Sequence, residues 1–300
     1  MSPFLAFRIT RVSAWVGLAV LTGLLLRHGE GRFDSFQGVR VRTDVRTFSR
    51  DGRQVWLDVY QPATSGSPRG RPALIAIHGG GWRGGSKTDY GRSLLPLVRH
   101  GFVVVAVDYR LSRPGVASWP GNLHDVRAAV RWVREHSGVL EIDPDRIAAI
   151  GASAGAQLAL MLGSYSDENP AGVAAIIDFY GPCDLRSLAA EGLPTAEPVR
   201  LLLGGAFESL GSLPDEASPV DRVSGNNPPT LVVHGSDDAL IPLDQSRRLV
   251  DALKRFGIRN RLIVVEGARH GFGLQAGTVD LIPEVVAFLD SVWNLPNRQP

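Results

Sequence analysis

Ile147-Ala-Ala-Ile-Gly151-Ala-Ser153-Ala-Gly155-Ala-Gln-Leu-Ala-Leu-Met161 is the stretch on which the reading of this chain turns. An apolar run of strand length meets a Gly-x-Ser-x-Gly turn, and the turn opens at once into an Ala- and Leu-rich helix. A strand that reverses into a helix within a few residues strains its apex, so the residues two positions to either side must be nearly free of side chain. Gly151 and Gly155 meet that need. The strain lifts the Ser153 hydroxyl clear of the sheet, and the helix N-terminus behind it offers unpaired N–H groups and a positive dipole end. Short Gly and Ser patterns also recur by accident, so the rest of the chain must supply partners for this serine.

Outward from this turn, Ala73-Leu-Ile-Ala-Ile77, Phe102-Val-Val-Val-Ala-Val107, Val173-Ala-Ala-Ile-Ile177, Thr230-Leu-Val-Val233 and Arg261-Leu-Ile-Val-Val265 are apolar in the manner of strands buried on both faces. Helical patterns lie between them. Leu123, Val126, Val130 and Val133 share one face, as do Leu249, Val250, Leu253 and Phe256, and then Ile282, Val285, Val286 and Leu289. Strands alternating with helices imply an α/β fold with a mostly parallel central sheet covered on both faces, and ligands meet such a sheet at the carboxyl ends of its strands. Nearer the N-terminus, Val39-Arg-Val-Arg42 and Val55-Trp-Leu-Asp-Val-Tyr60 alternate, as two half-exposed antiparallel strands at a sheet edge would. The stretch 184–224, rich in Gly, Pro and Glu, is the most irregular and is expected to form a small cap over the site.

The length of 300 residues accommodates one catalytic domain, expected over 32–300, plus an appendage. A net charge of +2, with no basic run interleaved with aromatics, argues against a nucleic-acid partner. Cys183 is the one cysteine; it excludes an intrachain disulfide and supplies no cluster for structural zinc. At the N-terminus, Arg8 and Arg11 precede an apolar stretch from Ala14 to Leu26, followed by Arg27. Residues 1–31 therefore read as a signal-anchor or signal peptide. The positive-inside bias then places the catalytic domain outside the cytoplasm, membrane-anchored or secreted.

Three further features fall after apolar strands. In His78-Gly79-Gly80-Gly81-Trp82, consecutive glycines let backbone approach a substrate, and their N–H groups can converge on an oxyanion. Gly80 and Gly85 have the spacing of a phosphate loop, but Ser86-Lys87 is in the wrong order for one, and His78 has no second ligand at a metal-site interval. In His234-Gly-Ser-Asp-Asp-Ala-Leu-Ile-Pro242, either Asp237 or Asp238 could orient a histidine. Gly267-Ala-Arg-His-Gly-Phe272 places His270 in a loop after the last strand. The chain order Ser, Asp, His is the one expected of an α/β-hydrolase.

These residues resemble the α/β-hydrolase esterases close to hormone-sensitive lipase, the bacterial feruloyl and acetyl-xylan (BD-FAE-like) esterases, and kynurenine formamidases. The resemblance runs from about Val39 to Trp293 and includes Asp108-Tyr-Arg-Leu111, Ile142-Asp-Pro-Asp-Arg-Ile147 and Ala217-Ser-Pro219. It selects Asp238 as the acid, which gives a triad of Ser153, Asp238 and His270, and it assigns the oxyanion hole to the amides of Gly80, Gly81 and Ala154. Trp82 and Trp119 could flank the substrate pocket, although each is also a natural packing residue. In one departure, Ala152 stands where an acidic residue often precedes the serine in these relatives.

The implied activity is serine carboxylesterase action on small or short-acyl esters, including acetyl or feruloyl groups on polysaccharide, with no metal or organic cofactor and no protein partner. Amide hydrolysis of the arylformamidase type and peptidase activity are alternatives within catalysis. A non-catalytic binding module on the same fold is the alternative from another class.

Overall fold

The computed structural model describes residues 33–295 apart from 37, 65–68, 165–171, 191 and 207–208. The N-terminal segment, with the signal-anchor or signal-peptide expectation attached to it, lies outside them. No described helix is long and apolar enough to cross a membrane.

The strands of the main sheet are β1 (Phe33–Phe36), β2 (Val39–Phe48), β3 (Gln54–Pro62), β4 (Arg71–Ile77), β5 (Val103–Asp108), β6 (Ile142–Ala152), β7 (Ala175–Phe179), β8 (Thr230–Gly235) and β9 (Asn260–Val265). Among the described residues they form one nine-stranded sheet in the order β1-β2-β3-β5-β4-β6-β7-β8-β9. The pairings that join β1, β2, β3 and β5 are antiparallel, and those from β5 through β4 to β9 are parallel. In β4, alternate residues feed opposite faces: Ala73, Ile75 and Ile77 enter one core and Leu74 and Ala76 the other. Both faces need apolar side chains, which is why the strand reads as a continuous run.

Helices α1 (Lys87–Ser93), α2 (Leu95–Arg99), α3 (Gly121–Glu135) and α4 (Ala154–Ser164) precede α5 (Leu185–Leu188), α6 (Ala196–Leu203), α7 (Leu213–Glu216), α8 (Leu243–Arg255) and α9 (Ile282–Val292). Leu123 and Val126 of α3, Leu158 and Met161 of α4, and Leu249 and Leu253 of α8 share one core. Leu97 and Val98 of α2 and Val285, Val286 and Leu289 of α9 share the core on the opposite face. The three helical faces predicted from periodicity thus meet the sheet, with one exception: Phe256, expected on the face of α8, caps the end of that helix and is exposed.

Chain direction then decides where a site can form. β4 is followed by β5 on one side, whereas β6 pairs on its other side and leads on to β7. Connections therefore leave β4 and β6 in opposite directions and open a crevice at their carboxyl ends. The glycine run after Ile77 and the serine turn after Ala152 both emerge there.

The expectation of two half-exposed edge strands requires correction at β3. That strand lies between β2 and β5, and Leu57, Asp58, Val59 and Tyr60 are all buried. The polar residue that suggested a wet face is a buried carboxylate matched by Lys87, whose Nζ lies 3.3 Å from Asp58 Oδ1. The stretch 184–224 is more regular than its composition implies, with α5, α6, α7 and a 3-10 turn at Pro219–Arg222.

Candidate active site

Ser153 occupies the turn between β6 and α4 with φ at 53°, a left-handed value that a residue with a Cβ adopts only when its surroundings enforce it. Those surroundings are visible. Its N–H donates to the Phe179 carbonyl at 2.9 Å, and its carbonyl accepts from Ala156 N at 2.9 Å and Gln157 N at 3.2 Å. Gly155 is required by close approach: a Cβ there would collide with the carbonyl oxygens of Ile77 and His78. The side chain of the apex residue is consequently left partly exposed at the rim.

His270 and Asp238 complete a line with that hydroxyl. Ser153 Oγ lies 3.0 Å from His270 Nε2, and His270 Nδ1 lies 2.7 Å from Asp238 Oδ2. The carboxylate has no proton to give, so Nδ1 carries the hydrogen, and the Nε2 lone pair is free to accept from the serine. Asp238 Oδ1 accepts from Leu240 N at 2.9 Å and Ile241 N at 2.8 Å. Burial alone would raise the Asp238 pKa. The hydrogen bonds from His234, His270 and Ile241 outweigh it and hold the carboxyl well below the usual carboxylate range. Asp237, the other carboxylate weighed from sequence, accepts the Ser236 hydroxyl at 3.0 Å and is exposed.

The glycine run lies directly against the serine turn. A Cβ built on Gly79 would sit 3.4 Å from Ser153 Cβ. Gly80 and Gly81 follow with φ of 110° and 59°, values that turn successive backbone amides and that glycine reaches freely. His78 anchors the base of the run. It is 3% exposed, its Nδ1 lies 2.7 Å from the Gly79 carbonyl, and its ring stacks on Tyr109 at 4.3 Å. Desolvation lowers its pKa, which favours the neutral ring. Among the described residues, no group of three or more His, Cys, Asp or Glu side chains is disposed to hold a metal ion.

Trp82 and Trp119 are buried, at 3% and 8% exposure, within the larger core cluster. The Trp82 indole Nε1–H donates to Gln157 Oε1 at 3.0 Å. Helix α6 borders the glycine run from the other side. Arg83 pairs with Glu197 at 2.9 Å, and a Cβ on Gly81 would lie 3.6 Å from Pro198 Cβ.

Three contributors were not evident from the sequence. His234 directs Nε2 at the Ile241 carbonyl, 2.8 Å away, with Asp238 Oδ2 at 3.4 Å, while Nδ1 meets Ser246 Oγ at 2.6 Å. Tyr180 sets its ring edge-on to His270 with centroids 4.7 Å apart, and its hydroxyl donates to the Phe272 carbonyl at 2.5 Å. Gln157 spans two elements of the site. The cue for His234 was its position at the end of an apolar strand; Tyr180 and Gln157 carried no comparable signal.

A mostly parallel sheet with a strained serine at the crevice, in line with a histidine and an aspartate, defines an α/β-hydrolase. Within that class the chain belongs to the BD-FAE family, which it matches over residues 57–253. It is 33% identical over 221 residues to esterase LipC of Mycobacterium tuberculosis, covering 69% of this chain and 54% of that protein. The chain spans about half the length of the curated relatives it matches. The thermophilic esterase Est2 of the planctomycete Thermogutta terrifontis superposes with a TM-score of 0.68 at 28% identity, over 88% of this chain and 96% of that one. That esterase has also been solved phosphonylated by sarin. The acetyl ester-xyloside bifunctional hydrolase of Caldicellulosiruptor lactoaceticus superposes with a TM-score of 0.69 at 27% identity, over 81% of this chain and 89% of that one.

Proposed function

We propose that this chain is a serine carboxylesterase that hydrolyses small or short-acyl esters, including acetyl or feruloyl groups on polysaccharide, through an acyl-enzyme. The observation that carries the reading is the line from Asp238 through His270 to Ser153, set beside the glycine run. His270 Nε2 removes the Ser153 proton as Oγ attacks the ester carbonyl. Amides of Gly80, Gly81 and Ala154 receive the oxyanion. Ala154 supplies the first turn of α4, where N–H groups have no partner within the helix. His270 then protonates the departing alcohol, and water repeats the sequence on the acyl-enzyme. The chain is exported, with residues 1–31 as anchor or signal.

The named relatives support the reaction class: LipC and Est2 are esterases, one structural relative acts on acetyl esters, and Est2 is phosphonylated by an agent that attacks reactive serines. The short helices of 184–224 leave little lid, which suits soluble substrates better than emulsified lipid. The deciding experiment is the initial rate of p-nitrophenyl acetate hydrolysis by the full chain and by Ser153→Ala, followed by an acyl-length series. Turnover by the parent alone, falling with acyl length, is the expected result. Equal rates from both proteins would overturn the proposal.

A further inference from the structure

Gln157 is fully buried on α4, one turn beyond Ser153, and every polar atom of its side chain points at another part of the site. Its backbone N–H donates to the Ser153 carbonyl at 3.2 Å. Its Oε1 accepts the Trp82 indole N–H at 3.0 Å, and its Nε2 donates to the Ala217 carbonyl at 2.8 Å. Those two bonds fix the amide orientation, because an indole nitrogen can only donate and a carbonyl can only accept.

Trp82 follows Gly81 directly and is held at φ 58°, a strained value for a residue with a side chain. Among the described residues, the Trp82 carbonyl accepts from Ser112 N at 2.7 Å and its indole donates to Gln157, within a turn that Arg83 N and Gly84 N close on the Gly80 carbonyl at 3.1 and 3.0 Å. The backbone that leads out of the glycine run is thus tied to the helix that carries the serine. Ala217 belongs to the segment that closes 184–224, where Ser218 Oγ in turn accepts from Leu185 N at 2.8 Å. One buried amide therefore joins the serine turn, the glycine run and the segment expected to act as a cap.

We propose that Gln157 is a positioning residue for ester hydrolysis, setting the separation between the Ser153 hydroxyl and the Gly80 and Gly81 amides through Trp82. The proposal rests on the esterase reading above. Removing the bridge releases the strained Trp82 backbone, and the two amides drift from the place where the oxyanion forms. Displacements of that size act on the chemical step far more than on substrate binding.

The test uses the full chain with active serines counted by fluorophosphonate titration, so that kcat is expressed per functional site. Gln157→Met keeps the volume and removes both side-chain bonds; kcat should fall about ten- to a hundredfold with KM changed less than about threefold. Gln157→Glu adds a readout that packing alone would not move. The protonated carboxyl can still accept from Trp82 and donate to Ala217, whereas the carboxylate faces the Ala217 carbonyl with no proton to offer. Its kcat relative to the parent should therefore decline as pH rises from 6 to 9. Should Gln157→Met fail to fold, Trp82→Phe removes the indole donor, with a smaller ring in its place, and should lower kcat in the same sense. A lower melting temperature with kcat per titrated serine within about twofold of the parent would overturn the proposal and leave the esterase reading intact. Activity retained by Ser153→Ala would instead sink the esterase reading itself, and the positioning role with it.

Discussion

Lys87 and Asp58 form an ion pair across the interface between α1 and β3, with Nζ 3.3 Å from a carboxylate that is fully buried. Asp44 Oδ1 at 3.0 Å and Asp108 Oδ2 at 3.6 Å complete a ring of three carboxylates around one ammonium. Desolvation alone would lower the Lys87 pKa, and the three aspartates outweigh it and raise it. Lys87 N also donates to Asp108 Oδ1 at 2.6 Å. Taking away the cation leaves Asp58 charged and unmatched in the interior. Lys87→Met should therefore destabilise the domain by about 3–5 kcal/mol, read by urea denaturation at neutral pH. Lys87→Met with Asp58→Asn should recover part of the loss, and equal stability of the single and double variants would contradict the assignment.

Asp238→Asn keeps the shape of the acid and removes its charge. The amide can offer His270 a donor where Nδ1 needs an acceptor, which favours the tautomer with its lone pair on the wrong nitrogen. Turnover should fall about 10³–10⁴-fold with the fold intact, as seen in initial rates and circular dichroism.

Gly81 has a φ of 59°, while the proline ring locks φ near −65°. Gly81→Pro also deletes one of the two amides of the run assigned to the oxyanion. The loss of a single donor typically removes about 3–4 kcal/mol of transition-state stabilisation. Turnover should therefore drop at least about a hundredfold while Ser153 stays in place. Unchanged kcat per titrated site would remove the glycine run from the mechanism.

Asp178 is fully buried at the end of β7, where Oδ1 accepts from Gly181 N at 2.8 Å and Oδ2 meets no donor among the described residues. Burial pushes its pKa up to about 6 against the donation from Gly181 and the nearby His234. A carboxyl with a raised folded-state pKa stabilises the fold fully below its unfolded value near 4. That contribution is lost as pH rises through about 6. The loss amounts to about 3 kcal/mol. Asp178→Asn should remove this dependence, so its stability relative to the parent should improve between pH 4 and pH 8. Parallel stability curves for the two proteins would refute the shift.

The parts of the site legible in the chain were those with a local reason. Gly151, Ser153 and Gly155 follow from the demands of one tight turn, and Gly80 and Gly81 from the need for bare backbone. Residues whose partners are remote stayed hidden. Asp58 looked solvent-facing because period-two alternation carries no sign of a lysine 29 positions later. Gln157 looked like one more helix residue beside its alanines, since its partner Trp82 is 75 residues away. Trp82 itself suggested a pocket wall or a packing residue, and its tie to that amide was not among the readings.

Hydrophobic periodicity was enough to establish the layered α/β architecture, because burial on both faces demands unbroken apolar strands and burial on one face demands a helical stripe. The candidate residues were likewise named by motif and order along the chain. Tertiary structure alone brought Ser153 within 3.0 Å of a histidine 117 residues away, and that histidine within 2.7 Å of Asp238 across another 32. It also gave Asp238, which the family resemblance had preferred to Asp237, its burial and its two backbone donors, and turned polar residues such as Asp58 and Gln157 into interior ties. The division has a physical cause: backbone conformation is governed largely by near neighbours, whereas the cost of burying a polar or charged group depends on partners that only the folded topology supplies.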